Sequence, residues 1–216
     1  MQLCERYRPR QWSDLIGHDA VKATVDRLRA SGGLAGRAYW ITGPSGTGKT
    51  TVAKLIAAEL SGPLGDLEIH ARKLTTAKLA ELVALTRFAP LGGKSWCFLV
   101  NEAHRLRKDA EGELLTLCDP PPPHVTWLFT TTTAGGLLFE GRGIDAEPFL
   151  SRCTPLHLST QGLAEPFARQ AKTVAHAEGL DGKPLSAYVR LVHQQHGNLR
   201  AVYQRIEAGD MLKKEG

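Results

Sequence analysis

Residues 43–50 read Gly-Pro-Ser-Gly-Thr-Gly-Lys-Thr, and this run can do chemistry on its own. Three glycines let a backbone turn its N–H groups toward phosphate oxygens, the lysine brings a point charge for the β- and γ-phosphates, and the closing threonine offers a hydroxyl to Mg²⁺. Pro44, Ser45, Gly46, Thr47, Gly48, Lys49, Thr50 and Thr51 are therefore expected to hold a nucleoside triphosphate, with Thr50 on the metal. Such a loop also needs an acid at the end of a second buried strand. The apolar run Trp96 to Val100 ends in Asn101-Glu102-Ala103-His104. Asn101 stands where the metal's carboxylate is expected. An amide can still hydrogen-bond a metal-bound water but brings no charge, so Mg²⁺ binding is expected to weaken and hydrolysis to slow. Glu102 is the carboxylate left to orient or deprotonate an attacking water. If the amide alone slows turnover, Asn101→Asp should restore it.

The elements needed to place these residues are legible. Residues 38–42 form a short apolar strand before the loop, and residues 49–60 a helix after it, with its N-terminal end toward the phosphates. Further strands are expected at 67–71, 96–100, 125–129 and 155–158, alternating with helices at 19–30, 74–88 and 108–118. That alternation predicts an α/β, parallel, doubly wound five-stranded sheet. From about residue 163 the pattern changes to three helices, at 163–178, 184–196 and 198–213. A core over residues 1–160 and a small helical domain over 161–216 follow from this change.

Composition narrows the class. Hydrophobic residues make up 42% and charged residues 23% of the 216, which is ordinary globular usage and argues against disorder. No apolar run reaches membrane-spanning length, and the N-terminus lacks the apolar stretch of a secretion signal, so a cytoplasmic protein is expected. The four cysteines have no zinc-ligand spacing; Cys97 and Cys118 lie in apolar stretches and are expected as buried free thiols. A net charge of +5 permits a nucleic-acid partner.

Taken in order along the chain, these segments resemble AAA+ ATPases of the clamp-loader group, with the replication factor C small subunits and the bacterial DNA polymerase III gamma/tau subunits nearest in pattern. The residues carrying the likeness are Glu5-Arg6-Tyr7-Arg8-Pro9 with Leu15-Ile16-Gly17, the glycine-rich loop, Asn101-Glu102-Ala103-His104-Arg105-Leu106, Asp119-Pro120-Pro121-Pro122, Ser151-Arg152-Cys153 and Gly197-Asn198-Leu199-Arg200. The resemblance implies that Tyr7, Arg8, Pro9, Ile16 and Gly17 pack around the adenine. It implies that Arg152 is an arginine finger reaching a neighbouring subunit's γ-phosphate, with Arg142 as a competitor for that part. Arg200 would be a sensor from the last helix, and Thr131 or Thr132 the polar sensor near the attacking water. Primer–template DNA would be followed through its phosphates by Arg72, Lys73, Lys78, Arg105, Arg107 and Lys108. A sliding clamp and other AAA+ subunits are the implied protein partners.

The sequence departs from this pattern at Asn101, in lacking the four-cysteine zinc module of gamma/tau, and in the glycine-rich stretch 134–143, expected as a surface loop. The family's collar domain would follow the helical domain, where this sequence ends, so stable self-assembly is not expected. Three readings stay open: a slow clamp-loader-type ATPase, an ATP-holding regulatory subunit that lends Arg152 to a neighbour, and another DNA-directed AAA+ protein such as a helicase loader or recombination factor.

Overall fold

The computed structural model describes residues 1–62, 64–132 and 147–213, with Glu147 and Pro148 described as backbone only. Arg142, Thr133 and the glycine-rich stretch 134–143 lie outside the described residues. Contacts divide the chain into two compact units, one of residues 20–43 and 49–158, the other of residues 1–19, 44–48 and 159–216.

The first unit is a five-stranded sheet built from β1 (Ala38–Thr42), β2 (Asp66–His70), β3 (Trp96–Asn101), β4 (Val125–Thr131) and β5 (Cys153–His157). The strand order is β2-β3-β4-β1-β5, and every pairing is parallel. Burial follows position in the sheet. All residues of β1 and β4 are buried and β3 is buried through its middle, as expected for strands covered on both faces. The edge strands β2 and β5 are partly exposed, and β5 tolerates Pro155 because an edge strand leaves backbone groups outside the ladder. The helices are α2 (Asp19–Ala30), α3 (Lys49–Leu60), α4 (Thr76–Leu85), α5 (Lys108–Leu117) and a single turn, α6 (Glu147–Leu150). Trp40, Phe98, Trp127, Phe129 and Phe149 form the aromatic centre of the core; Phe98 and Trp127 lie 4.7 Å apart, and Phe129 meets Phe149 edge-on at 5.0 Å.

The second unit is helical, with α1 (Leu3–Arg6), α7 (Ala164–Ala177), α8 (Leu185–Gln194) and α9 (Leu199–Glu207). Its core gathers Phe167, Ala171, Val174, Tyr188, Leu191, Val202 and Ile206, and Leu3 joins them from the N-terminus. The N-terminal segment is fastened there by Leu3 N–H donating to Glu207 Oε1 at 2.7 Å and Tyr7 Oη donating to Glu178 Oε1 at 2.5 Å. All four cysteines are free, with Cys97, Cys118 and Cys153 buried. Burial pushes the Cys97 and Cys153 thiols up to about 12, so they act as apolar packing rather than as nucleophiles. Among the described residues no helix is long and apolar enough to cross a membrane.

Candidate nucleotide site

The glycine-rich loop joins the end of β1 to the start of α3, the connection that places a loop at the carboxyl edge of a parallel sheet beside its switch in strand order. Gly43 has φ +147, and a Cβ there would stand 2.4 Å from the Leu158 carbonyl oxygen. Gly46 has φ +74, and a Cβ there would stand 1.8 Å from Asn198 Oδ1. Both positions exclude side chains for steric as well as conformational reasons. Thr47 Oγ1 donates to Pro44 O at 2.8 Å, closing the loop on itself, and Thr47 O lies 3.0 Å from the buried His18 Nε2. Pro44 and Ser45 are exposed. Lys49 Nζ donates to Gly43 O at 2.8 Å, so its ammonium lies across the mouth of the loop. Thr51 is buried in α3.

Thr50 Oγ1 donates to Asn101 Oδ1 at 3.4 Å, and Thr130 Oγ1 donates to the same oxygen at 2.8 Å. Asn101 Nδ2 donates to Glu68 Oε1 at 2.6 Å. The ends of α3, β3 and β4 therefore converge on one amide. Glu102 follows in the left-handed region, φ 59, a conformation uncommon outside glycine and found where surrounding structure enforces it. Its carboxylate faces His104 Nε2 at 3.4 Å and Arg105 Nε at 3.8 Å. Burial draws the His104 imidazole below its ordinary 6.5; the Glu102 charge opposes this and the Arg105 charge adds to it. His104 Nδ1 sits 3.0 Å from Thr131 Oγ1. Thr130 and Thr131 are thus gathered with Asn101 and His104, whereas Thr132 is exposed at the bend past β4.

These donors suit a magnesium triphosphate. Lys49 is cationic, glycines with positive φ leave the loop N–H groups uncrowded, and the Thr50 and Asn101 oxygens facing one another are the hard donors that Mg²⁺ prefers.

The other expected residues fall in several places. Arg152 precedes β5 and pairs with Asp119 Oδ2 at 2.7 Å. Arg200 is the second residue of α9, exposed, after Asn198, whose Oδ1 caps the helix by accepting Ala201 N–H at 3.1 Å. Tyr7 and Ile16 pack against the helical core, Arg8 pairs with Glu5 at 2.5 Å, and Pro9 and Gly17 continue the same N-terminal segment. The 3₁₀ turns at 71–73 and 103–105 lie side by side, with Arg72 and Lys73 on the first and Arg105 on the second. Lys78 is paired with Glu81 at 2.5 Å and Arg107 with Asp109 at 3.0 Å. Among the described residues Arg72, Lys73 and Lys108 make no ion pair.

Sequence reasoning missed His18 and Asn198 as neighbours of the loop, and Glu68 as the neighbour of Asn101. His18 directly follows the Ile16-Gly17 pair, a positional hint. A charge inside the apolar triplet Leu67-Glu68-Ile69 was the one available hint for Glu68, and it says nothing of a partner 33 residues away.

Fold and loop together have the form of the P-loop AAA+ fold. The family model described as "ATPase family associated with various cellular activities (AAA)" matches residues 39–138. The chain is 25% identical over 239 residues to the DNA polymerase III subunit tau of Escherichia coli K12, taking in 96% of this chain and 35% of that protein. It is also 25% identical to the DNA polymerase III subunit gamma of Buchnera aphidicola subsp. Baizongia pistaciae, over 92% of this chain and 57% of that one. The chain therefore spans between about a third and just over half of these relatives. Among solved structures, the RuvB Holliday junction branch migration motor of Thermotoga maritima aligns with a TM-score of 0.69 at 22% identity, over 93% of this chain and 64% of that chain. At that identity the structural likeness speaks to the fold alone.

Proposed function

We propose that this chain is an ATP-hydrolysing subunit of clamp-loader type, which couples nucleotide binding and turnover to the handling of a sliding clamp on primed DNA. The observation that carries the reading is the convergence on Asn101 of Thr50 from the loop helix and Thr130 from β4, with Glu102 one residue on. In this reading residues 44–51 hold ATP, Lys49 faces the β- and γ-phosphates, and Thr50 and Asn101 hold Mg²⁺, whose contribution when bound is to neutralise phosphate charge. Glu102 orients the attacking water, and Thr131, tied to His104, suits the polar-sensor part better than Thr132. Tyr7, Arg8, Pro9, Ile16 and Gly17 line the adenine side. Arg152 serves a neighbouring subunit and Arg200 contacts nucleotide within the chain. Residues 1–160 serve as the ATPase core and residues 161–216 as the helical domain, and the work is cytoplasmic.

A second reading, an ATP-holding subunit without useful turnover, is favoured by two observations: the amide at position 101, and a Glu102 carboxylate that has His104 Nε2 and Arg105 Nε within 4 Å.

Turnover of ATP with Mg²⁺, primed DNA and clamp separates the two. The first reading expects Glu102→Gln to lose at least about 100-fold in turnover, the scale of a lost general base, while ATP binding persists. Tight binding with no turnover in the unsubstituted protein selects the second. Stimulation by a helicase or a branched junction, and not by a clamp, overturns the clamp-loader assignment.

A further inference from the structure

Position 101 is more than a carboxylate site with its charge missing. A carboxylate only accepts hydrogen bonds, so Glu68 fixes which end of the Asn101 amide faces it: Nδ2 donates to Glu68 Oε1 at 2.6 Å, and Oδ1 is left to the two hydroxyls. The hydroxyls agree, since Thr130 Oγ1 at 2.8 Å and Thr50 Oγ1 at 3.4 Å both donate into Oδ1. Glu68 is itself held on its second oxygen by Lys54 Nζ at 2.8 Å. Lys54 lies four residues beyond Thr50, one turn along α3. The side-chain circuit Lys54–Glu68–Asn101–Thr50 therefore leaves α3, crosses β2 and β3, and returns to α3. Because Lys54 balances its charge, Glu68 adds little net field at the site; its part is orientation.

We infer that Glu68 is a positioning residue that acts through Asn101, turning the amide so that its oxygen faces Thr50, and that this site is built around an amide rather than around an aspartate that has been lost. The inference rests on the proposed assignment of Thr50 and Asn101 to Mg²⁺. It reverses the simplest sequence expectation. Asn101→Asp would set two carboxylates where an N–H···O bond now stands, so alone it would damage the protein rather than repair it. Glu68→Gln supplies an NH₂ that can donate to the carboxylate introduced by Asn101→Asp, so the double variant exchanges the two polarities, with an amide on β2 and a carboxylate on β3.

Two measurements on the full chain test this. The first is thermal unfolding in EDTA of the wild type, Asn101→Asp, Glu68→Gln and the double variant. Asn101→Asp is expected to lower Tm by about 2–4 °C, the response of a domain of this size to the loss of about one pairwise interaction. The double variant is expected within about 1 °C of Glu68→Gln, a non-additivity that only coupled neighbours give. Equal Tm losses from Asn101→Asp in both backgrounds, or no loss in either, overturn the inference. The second is the Mg²⁺ concentration that half-saturates binding of a fluorescent ATP analogue, which a merely structural role for Glu68 would leave unmoved. Glu68→Ala is expected to raise it several-fold and Glu68→Gln, which keeps an acceptor, to raise it less. If Thr50→Ala raises it and Glu68→Ala does not, the role of Glu68 falls while the metal assignment stands. If Thr50→Ala leaves it unchanged as well, the metal assignment falls and takes the inference with it.

Discussion

Gly46 and Gly162 have almost the same φ, +74 and +73, yet differ in what surrounds them. A Cβ on Gly46 would lie 1.8 Å from Asn198 Oδ1, the oxygen that caps α9, whereas one on Gly162 would meet nothing within 4 Å. Alanine at either position carries the left-handed penalty of about 1–2 kcal/mol. Only at Gly46 must the cap also give way, which adds about 1 kcal/mol. Urea unfolding should therefore show Gly46→Ala less stable than Gly162→Ala by about that increment. Equal losses would mean that the loop glycine is present for conformation alone. The comparison separates two reasons for glycine that a sequence motif merges: the pattern Gly-x-Gly-Lys-Thr is legible without coordinates, but the packing of Gly46 on Asn198, 152 residues on, is not.

At the scale of elements, agreement with the sequence was best where local pattern and burial coincide. β1 at Ala38–Thr42, α3 at Lys49–Leu60 and α2 at Asp19–Ala30 fall on the expected residues, because each has a turn signal at one end and an apolar face or run between. Ends set by tertiary pairing were missed. β4 runs on to Thr131 because Thr42 of β1 pairs with it, and β5 begins at Cys153 because Ala38 pairs there. α4 was expected over 74–88 and spans Thr76–Leu85; Thr75 caps its start by accepting Lys78 N–H at 3.1 Å. α9 was expected to reach residue 213 and ends at Glu207, with Gly209 at φ +85 beyond it. In the helical unit the link between α7 and α8 is polar. Lys172 Nζ donates to both Asp181 oxygens at 2.8 and 2.6 Å and to Lys183 O at 2.7 Å, and Tyr188 Oη donates to Asp181 at 2.9 Å. Burial would raise the Asp181 carboxyl, but the hydrogen bonds from Lys172 and Tyr188 outweigh it and hold the group below the ordinary 3.8. A depressed carboxyl stabilises the fold above its unfolded value and loses that contribution as pH falls through the folded one. Asp181→Asn should thus lower stability at neutral pH by about 1–3 kcal/mol, the scale of a lost charge-assisted bond, and flatten the acid limb below about pH 4. Tm measured from pH 7 to pH 3 checks both; a limb of unchanged steepness would place the acid sensitivity elsewhere.

For the molecule as a whole, the decisive quantity is how charge is distributed rather than its net value of +5. Of the six basic residues assigned to DNA, Lys78 and Arg107 are held by their own carboxylates, Glu81 and Asp109, and Arg105 shares Glu102 with His104. Arg72 and Lys73 lie on a turn that adjoins the turn of Arg105 at the carboxyl edge of β2 and β3. A cation already paired gains less from a phosphate, because it must give up its partner first, while an exposed cation without an ion pair releases condensed counterions at full effect. If primed DNA tracks this edge, its affinity falls with salt, and the slope of log K against log salt becomes shallower by about 0.9 for each phosphate contact removed. Arg72→Ala and Lys73→Ala should each flatten the slope by roughly that amount. Lys78→Ala should leave it nearly unchanged. Anisotropy titrations of a labelled primer–template across a KCl series read these slopes, and substituting the DNA sequence should not alter them, because contacts to phosphate carry no base information. An unchanged slope in the Arg72, Lys73 double variant would remove this edge from the DNA path, and with it the reason to count these basic turns as anything beyond a solvated surface.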